Sequence, residues 1–169
     1  MASGPPGAPG PEISAEIPDW SRERPRKYWD PGRRLLRTIR RYQAWGKRGR
    51  WARPIQMYWA LNHRFWQVAS GAEIPLTTEL GGGLMIPHPN GIVIHPDSRV
   101  GPNCILFQQV TLAGGPTLGG HVDVGAGAKI LGRITIGDHA VIGANAVVLK
   151  DVPPGRTAAG VPARLLPEG

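Results

Sequence analysis

Aliphatic residues recur at every sixth position through the second half of the chain, and this period constrains the fold more than any other feature. From position 94 to position 148 every residue in the series is Ile, Leu or Val, although these types fill fewer than a third of all positions in that window, so chance is a poor explanation. A period of six fits neither an amphipathic helix nor a simple strand alternation. The series is Ile94, Val100, Leu106, Leu112, Leu118, Val124, Ile130, Ile136, Ile142 and Val148.

This period is typical of hexapeptide repeats, which predict a mainly β fold, a left-handed parallel β-helix shaped as a triangular prism. Three hexads make one coil, so residues that are three hexads apart stack, and glycine or small residues stand where the backbone turns. We therefore predict three internal columns of aliphatic side chains. They are Ile94, Leu112, Ile130 and Val148; then Val100, Leu118 and Ile136; then Leu106, Val124 and Ile142.

An earlier ladder has the same period but is offset by two positions from the later one. It consists of Ile74, Leu80, Ile86 and Ile92, so the coil is interrupted between Ile86 and Ile94. The interruption contains the segment Pro87-His88-Pro89-Asn90-Gly91. Prolines on both sides hold His88 on a stiff, extended backbone, and Gly91 permits a sharp turn. The single defect in a strict repeat makes His88 the first candidate for a catalytic residue.

The chain divides into four segments by composition. Residues 1–30 are expected to be a flexible tail and connector, and residues 31–70 a helical region with one helix from about Arg33 to Gly46 and a second from about Pro54 to Ser70. The aromatic residues of the second helix are expected to seal the first coil, with His63 in a structural role. Residues 71–152 are the predicted β-helix. Residues 153–169, rich in proline, are expected to cap it without regular strand pairing.

Positive charge is confined to the N-terminal part. Residues 1–70 hold 14 Lys and Arg against 5 acids, whereas residues 71–169 hold 6 against 7. A solvated basic helix face, attraction to an anionic substrate or membrane surface, and nucleic-acid binding are three interpretations. The chain has no nucleic-acid-binding motif, so we expect no nucleic-acid partner, and membrane-surface contact is not expected either.

The single cysteine and the absence of long apolar runs bear on location. Because Cys104 is the single cysteine, the chain cannot form an intramolecular disulfide, which suits a reducing compartment. At its coil position it is expected to be a small buried residue. Without an apolar run or a secretory segment, the chain is expected neither to span a membrane nor to be exported by that route. The predicted location is cytoplasmic.

Four stretches resemble the hexapeptide-repeat acetyltransferases, and within them the serine acetyltransferases. The resemblance runs from about Arg33 to Leu166 and is most specific in IPHPNGIVI, LFQQVTLAGG, GAGAKILG and KDVPPGRTAAGVPAR. It implies an acetyl-CoA-dependent O-acetyltransferase in which His88 is the general base and Glu73, fifteen positions earlier, orients it. It also implies that the backbone N–H of Gly114 donates to the oxyanion, and that Asn90 and Gln108 line the substrate site.

The resemblance further implies a homotrimer that binds coenzyme A in the groove between neighbouring prisms and uses no metal. Positions that resemble the coenzyme A contacts of the family are Ala126, Ala144 and Lys150, with Arg164 as a partner for phosphate. The two alanines also follow the small-residue rule of the coil. Lys150 is the more specific position because the run around it is otherwise almost uncharged.

This chain departs from serine acetyltransferases at the acceptor side. Those enzymes place Asp immediately before the base, where this chain has Pro87, and an Arg-His pair in a protruding loop. Here the hexads stay in register, so no loop is expected, Gly115 falls about where the second histidine should be, and His121 falls at an ordinary coil corner. Most of the N-terminal helical region of the family is absent, which favours a plain trimer. The overall match to the serine acetyltransferase branch implies L-serine or a related small molecule as the acceptor. These departures keep a sugar hydroxyl in polysaccharide or natural-product synthesis as the alternative.

Two other classes of protein remain open. A γ-class carbonic anhydrase shares the prism but needs three histidines on one zinc ion, and the spacing of the available histidines does not bring three to one edge convincingly. A non-catalytic scaffold is the other alternative. The histidines concerned are His88, His95, His121 and His139.

Overall fold

Three parallel β-sheets form the faces of a triangular prism in the computed structural model, which describes residues 13–167. The fold is a left-handed parallel β-helix, as predicted. Face A contains β2 (Val93–Ile94), β5 (Thr111–Ala113), β8 (Lys129–Leu131) and β11 (Val147–Val148). Face B contains β1 (Glu79–Leu80), β3 (Arg99–Val100), β6 (Thr117–Leu118) and β9 (Thr135–Ile136). Face C contains β4 (Ile105–Leu106), β7 (Asp123–Val124), β10 (Val141–Ile142), β12 (Thr157–Gly160) and β13 (Ala163–Leu165).

The corners between the faces are named by the faces they join. The chain runs from face C to face A, then to face B, and back to face C once in each coil. The C–A corner comprises residues 87–92, 107–110, 125–128 and 143–146; the A–B corner comprises residues 95–98, 114–116, 132–134 and 149–151; the B–C corner comprises residues 101–104, 119–122, 137–140 and 153–156.

The strand pairings confirm the three predicted columns. On face A, Ile94 pairs with Leu112 and Leu112 with Ile130, each pair three hexads apart, and the later coils of the other faces keep the same step. Within each short strand the aliphatic residue points inward and its neighbour points outward. Leu112 and Ile130 are fully buried, for example, whereas Val141 is 41% exposed. The core is thus a stack of Ile, Leu and Val rungs.

The two-residue interruption is also confirmed. The first coil pairs Leu80 with Val100 and Met85 with Ile105, and each of these pairs is two positions wider than a later pair such as Val100 with Leu118. The two extra residues therefore lie between Met85 and Val93. The segment that holds His88 is an insertion at the C–A corner of the first coil.

Helix α1 closes the open end of the prism. It spans Pro31–Gly46, with the side chain of Asp30 at its N-cap, and it buries Leu35, Leu36 and Ile39 completely. The guanidinium of Arg40 donates to the carbonyl oxygens at positions 80 and 81 and pairs with Glu23 at 2.7 Å. Since these carbonyls lie at the edge of the first coil, Arg40 satisfies groups that would otherwise be unpaired.

Helix α2 (Arg53–Ser70) does not form the predicted aromatic seal. Only Trp66 among its aromatic residues packs, partly buried, against the core, while Tyr58 and Phe65 are each 57% exposed. The prediction failed because the aliphatic residues of α1 already cover the coil, and α2 packs on the outside of α1. Its outward side chains are Met57, Tyr58, Leu61, Phe65 and Val68.

His63 joins the two helices, as its expected structural role requires. Its side chain is buried, and its Nδ1 lies 3.0 Å from Thr38 Oγ1. The same Thr38 hydroxyl donates to the carbonyl oxygen of Leu35 at 2.7 Å. Burial lowers the pKa of His63 below its ordinary 6.5.

We expect the protein to lose stability as the pH falls below about 6.5, because the unfolded chain then binds a proton that the folded His63 resists. Above that pH the ring is neutral in both states and has no effect. Because one proton is involved, the free energy of unfolding should change by at most about 1.4 kcal/mol per pH unit. Urea unfolding between pH 7.5 and 5 measures this slope, and His63→Gln should flatten it. An equal slope in the variant would contradict this role.

The C-terminal segment does pair as strands, so that prediction was wrong. Strand β12 continues face C beside β10, and β13 turns back antiparallel to β12. The prolines do not prevent this because Pro153 and Pro154 precede β12 and Pro162 lies in the turn between the two strands. The antiparallel β13 covers the last edge of face C.

Residues 13–30 contact the B–C corner rather than standing apart as a connector. The side-chain amide of Asn103 donates to the carbonyl oxygens of Ser14 and Ile17, and its oxygen accepts from the backbone N–H of Asp19 at 2.8 Å. Arg22 donates to the Asn103 carbonyl oxygen at 2.6 Å. The predicted flexible tail otherwise lies outside the described residues.

Cys104 is fully buried inside the B–C corner, as expected for a small core residue. Its Sγ lies 3.1 Å from the carbonyl oxygen of Gly119. Burial raises the pKa of the thiol to about 11, so it stays protonated at neutral pH and is a poor nucleophile.

Candidate active site

The insertion at the C–A corner presents His88 to solvent on a fixed backbone. Pro89 is buried beneath it and its carbonyl oxygen accepts from the N–H of Ile92 at 3.1 Å. Gly91 has φ +72°, and its N–H donates to Gly71 of the preceding turn at 2.7 Å. A Cβ on Gly91 would lie 3.1 Å from Cγ of Gln109. Both the positive φ and this close approach therefore favour glycine at position 91.

The structure does not join His88 to Glu73. Glu73 lies on face A, where its backbone pairs with Val93, and its side chain is exposed. Within residues 13–167, neither the imidazole of His88 nor the carboxylate of Glu73 has a hydrogen-bond partner. The predicted orienting contact is therefore absent from the single chain, and the roles of both residues stay predictions.

Four predicted site residues stack along the C–A corner. Backbone hydrogen bonds link successive coils here: Gln109 donates to Asn90, Gly127 to Gln108, and Asn145 to Ala126. Because Ala126 and Ala144 have small side chains, they leave space at the C–A corner in the coils that follow the insertion. Among the described residues, the side-chain oxygen of Gln108 is buried without a hydrogen-bond partner. The stacked residues are Asn90, Gln108, Ala126 and Ala144.

Gly114 lies at the opposite end of face A from His88. It directly follows β5, whereas His88 precedes β2, and these two strands are neighbours in one sheet. Its φ is +83°, and a Cβ would lie 2.9 Å from the backbone of Gly132. One chain therefore does not bring the predicted base and the predicted oxyanion donor together.

A polar cavity of about 570 Å³ lies at the A–B corner beside Gly115. Asp97 and Arg133 line it, and so do the paired side chains of Glu79 and Arg99, 3.1 Å apart. Within the described part of the chain, Arg133 makes no ion pair or hydrogen bond. Sequence reasoning missed these charged residues because they are ordinary outward positions of the repeat, and only stacking brings them together.

The expected absence of a protruding loop is confirmed at this corner. Thr111 pairs with Lys129 and Thr117 with Thr135, so the intervening coil keeps its regular three-hexad step. Gly115 stays at the corner between Asp97 and Arg133, and His121 takes a corner position on the next turn.

Two predicted coenzyme A residues line one cavity at the C-terminal end of the prism. Lys150 and Arg164 lie with Asp151 around a space of about 310 Å³. Strand β13 positions Arg164, since its backbone pairs with Ala159. The structure thus brings two cations together at a site open to an anionic group.

The histidines do not form a three-ligand metal site. His88 lies at the C–A corner and His95 follows face A, whereas His121 and His139 adjoin at the B–C corner. Across residues 13–167, no group of three or more His, Cys, Asp or Glu side chains could hold a metal ion. Within these residues, one chain lacks the three-histidine ligand set that a γ-class carbonic anhydrase would need. None of the helices described is long and apolar enough to cross a membrane.

Comparisons with known proteins agree with this architecture. The family model "Bacterial transferase hexapeptide (six repeats)" matches residues 115–150. The chain is 44% identical over 108 residues to the serine acetyltransferase of Synechococcus elongatus, covering 59% of this chain and 44% of that relative. The chain is therefore similar to hexapeptide-repeat transferases. The serine acetyltransferase of Mycobacterium tuberculosis is 35% identical over 136 residues, which are 74% of this chain and 59% of the relative.

Solved structures are similar to a larger share of the chain. A serine acetyltransferase in complex with CoA has a TM-score of 0.70 at 35% identity, covering 82% of this chain and 58% of that one. The soybean serine acetyltransferase complexed with serine has a TM-score of 0.69 at 32% identity, covering 78% and 56%. These neighbours confirm the predicted resemblance to the serine acetyltransferases. The chain spans about half the length of the curated relatives it matches.

Proposed function

We propose that this transferase moves the acetyl group of acetyl-CoA to the hydroxyl of L-serine or a related small acceptor. The observation that carries the proposal is the position of His88 in the sole two-residue insertion of the described coils. Curated relatives and solved neighbours named serine acetyltransferase support the choice of reaction.

His88 would act as the general base. A hydroxyl with a pKa far above 7 attacks a thioester poorly unless its proton is removed during the attack, and neutral imidazole suits that task. The acceptor oxygen bonds to the thioester carbon while its proton passes to His88. The C–S bond then breaks, and the imidazolium returns the proton to the departing coenzyme A sulfur.

The remaining groups of the site belong to more than one chain in this proposal. His88 and Gly114 lie at opposite ends of face A, so a second copy must bring its Gly114 N–H to the oxyanion formed beside the His88 of the first. In a homotrimer of parallel prisms, a corner of one copy would lie beside a different corner of the neighbouring copy. Glu73 would orient His88 once the neighbouring copy and the acceptor exclude water.

Coenzyme A would lie along the edges of the prism. The low C–A corner at Ala126 and Ala144 leaves space for the pantetheine arm, and Asn90 and Gln108 would face its reactive end. Lys150 and Arg164 offer cations to the phosphates. A cytoplasmic location belongs to the same proposal, because acetyl-CoA must reach the site.

The polar cavity at the A–B corner favours an acceptor that carries both charges. The unpaired guanidinium of Arg133 suits a carboxylate, and the nearby carboxylate of Asp97 suits an ammonium group. Both residues lie beside Gly115, where the family has its acceptor loop. A free amino acid such as serine has both groups, whereas a neutral sugar has neither.

The test is an acceptor panel with the purified full chain. We expect coenzyme A release from acetyl-CoA to depend on L-serine at millimolar concentration, with O-acetylserine as the product identified by mass spectrometry. D-Serine and a set of free and nucleotide-linked sugars are the comparison acceptors. If a sugar supports release and L-serine does not, the alternative acceptor class is correct. If no acceptor in the panel supports release, both the serine and the sugar proposals are contradicted.

A further inference from the structure

Two histidines contact each other at the B–C corner. His121 and His139 occupy the same corner position in successive coils, with φ +52° and +58°. Their backbone N–H groups donate to Pro102 and Gly120 of the coil before, so the two side chains leave the prism one above the other. Their Nδ1 atoms lie 2.8 Å apart, with the ring planes at 78°.

The left-handed backbone at this corner explains why histidine is tolerated at each position. It does not explain why the two rings contact each other. His is among the residues that tolerate the left-handed region, so one corner histidine needs no further cause. Two facing Nδ1 atoms are different, because in the neutral pair one ring must donate and the other accept. His139 is exposed and His121 half-buried, so water could reach and solvate both rings separately.

The separation also suits two ligands on one metal ion. With bonds of about 2.0 Å, two nitrogens at a right angle lie about 2.8 Å apart, whereas tetrahedral ligands lie about 3.3 Å apart. Right-angle coordination by nitrogen is typical of Cu²⁺ and Ni²⁺ rather than Zn²⁺. Stacking on the rigid prism fixes the spacing before any ion arrives, which reduces the ordering cost of binding.

Two carboxylates lie near His139. His139 lines an open cavity of about 400 Å³ with Asp138 and Glu16. One oxygen of Asp138 already accepts from the N–H of Gly120 at 2.7 Å, which leaves the other free. These side chains do not complete a three-ligand cluster within residues 13–167, so water would occupy the remaining positions.

We propose that His121 and His139 bind a divalent transition metal ion, Cu²⁺ or Ni²⁺, through their two Nδ1 atoms. The ring that donates in the free pair moves its proton from Nδ1 to Nε2 through solvent, so that both Nδ1 lone pairs point to the ion. The change conserves the protons of the neutral pair. The site lies at a different corner from His88 and does not depend on the proposed acetyl transfer.

Calorimetric titration with Ni²⁺ tests the proposal on the full chain, prepared without a polyhistidine tag and depleted of metal. We expect one ion per chain in the wild type. His121→Asn and His139→Asn should each weaken binding at least about tenfold, since one of two ligands is lost. Asn tolerates the same left-handed backbone, so the corner should persist. His95→Asn removes a histidine elsewhere and should bind as the wild type does.

Electron paramagnetic resonance of the Cu²⁺ form of the wild type gives a readout that needs no variant. Two coordinated imidazole nitrogens are expected in the hyperfine pattern. Bound metal should also raise the melting temperature of the wild type and not that of the double variant, because only the folded corner holds both ligands. Equal affinity in the wild type and both single variants, or no binding below millimolar Ni²⁺, would overturn the proposal.

Discussion

Replacing His88 with alanine is expected to lower kcat for acetyl transfer by about 10²-fold or more, the usual effect of removing a general base. The imidazole is exposed and makes no hydrogen bond within residues 13–167, so its loss should leave the coil intact. Steady-state kinetics with varied acetyl-CoA and acceptor measure the effect. The KM for acetyl-CoA should change little, because the proposed contacts of coenzyme A are elsewhere.

Controls separate loss of the base from loss of structure. His139→Asn removes an exposed histidine from the B–C corner, away from the proposed acetyl-transfer site, and should keep wild-type activity. The melting temperatures of both variants, measured without added metal, should match the wild type. Raising the pH should not restore His88→Ala, because hydroxide does not occupy the place of a positioned base. Glu73→Ala should be milder than His88→Ala. Full activity in His88→Ala would contradict the role of His88 as the general base.

Sequence period was sufficient to predict the β-helix because one physical rule acts on every coil. An interior only one side chain wide admits aliphatic residues at each sixth position, so the columns through Leu112 and Val124 follow from counting alone. The two-residue slip was equally visible, since a strict repeat makes any insertion conspicuous. For this reason the insertion that contains His88 was located to within a few residues.

What sequence could not give were the relations between separate segments. The period carries no information on which helix covers the open coil, and the exposed aromatic residues of α2 were assigned to a seal that Leu35 and Ile39 form instead. Proline content argued against strands at the C-terminus, yet the prolines fall just outside β12 and β13. The contact of Arg22 with Asn103 spans 81 residues and leaves no local pattern.

In the candidate site, too, the repeat predicts some positions, whereas others depend on how separate segments or copies meet. The repeat places Asn90, Gln108 and Ala126 on one corner without further information, because each lies one full coil after the one before. It also places Gly114 at the far end of face A from His88, which is a fact about a single chain that the resemblance did not reveal. Completion of the site by another copy is therefore a physical requirement of the proposed mechanism.

The inward columns should dominate stability, and strand β10 allows a paired test. Ile142→Ala removes a side chain that is 1% exposed and is expected to lower the free energy of unfolding by about 2–5 kcal/mol, from lost burial plus the cavity that rigid neighbouring coils cannot close. Val141→Ala, one residue earlier and 41% exposed, should change it by no more than about 0.5 kcal/mol.

Urea unfolding followed by circular dichroism measures both variants against the wild type. The two substitutions lie on the same strand and pair with the same neighbours in β7 and β12, so backbone effects are shared and the difference reports side-chain burial alone. The slope of the transition should be unchanged if the prism unfolds as one unit. Similar losses in the two variants would mean that face C is covered in solution, with Val141 buried against another copy of the chain.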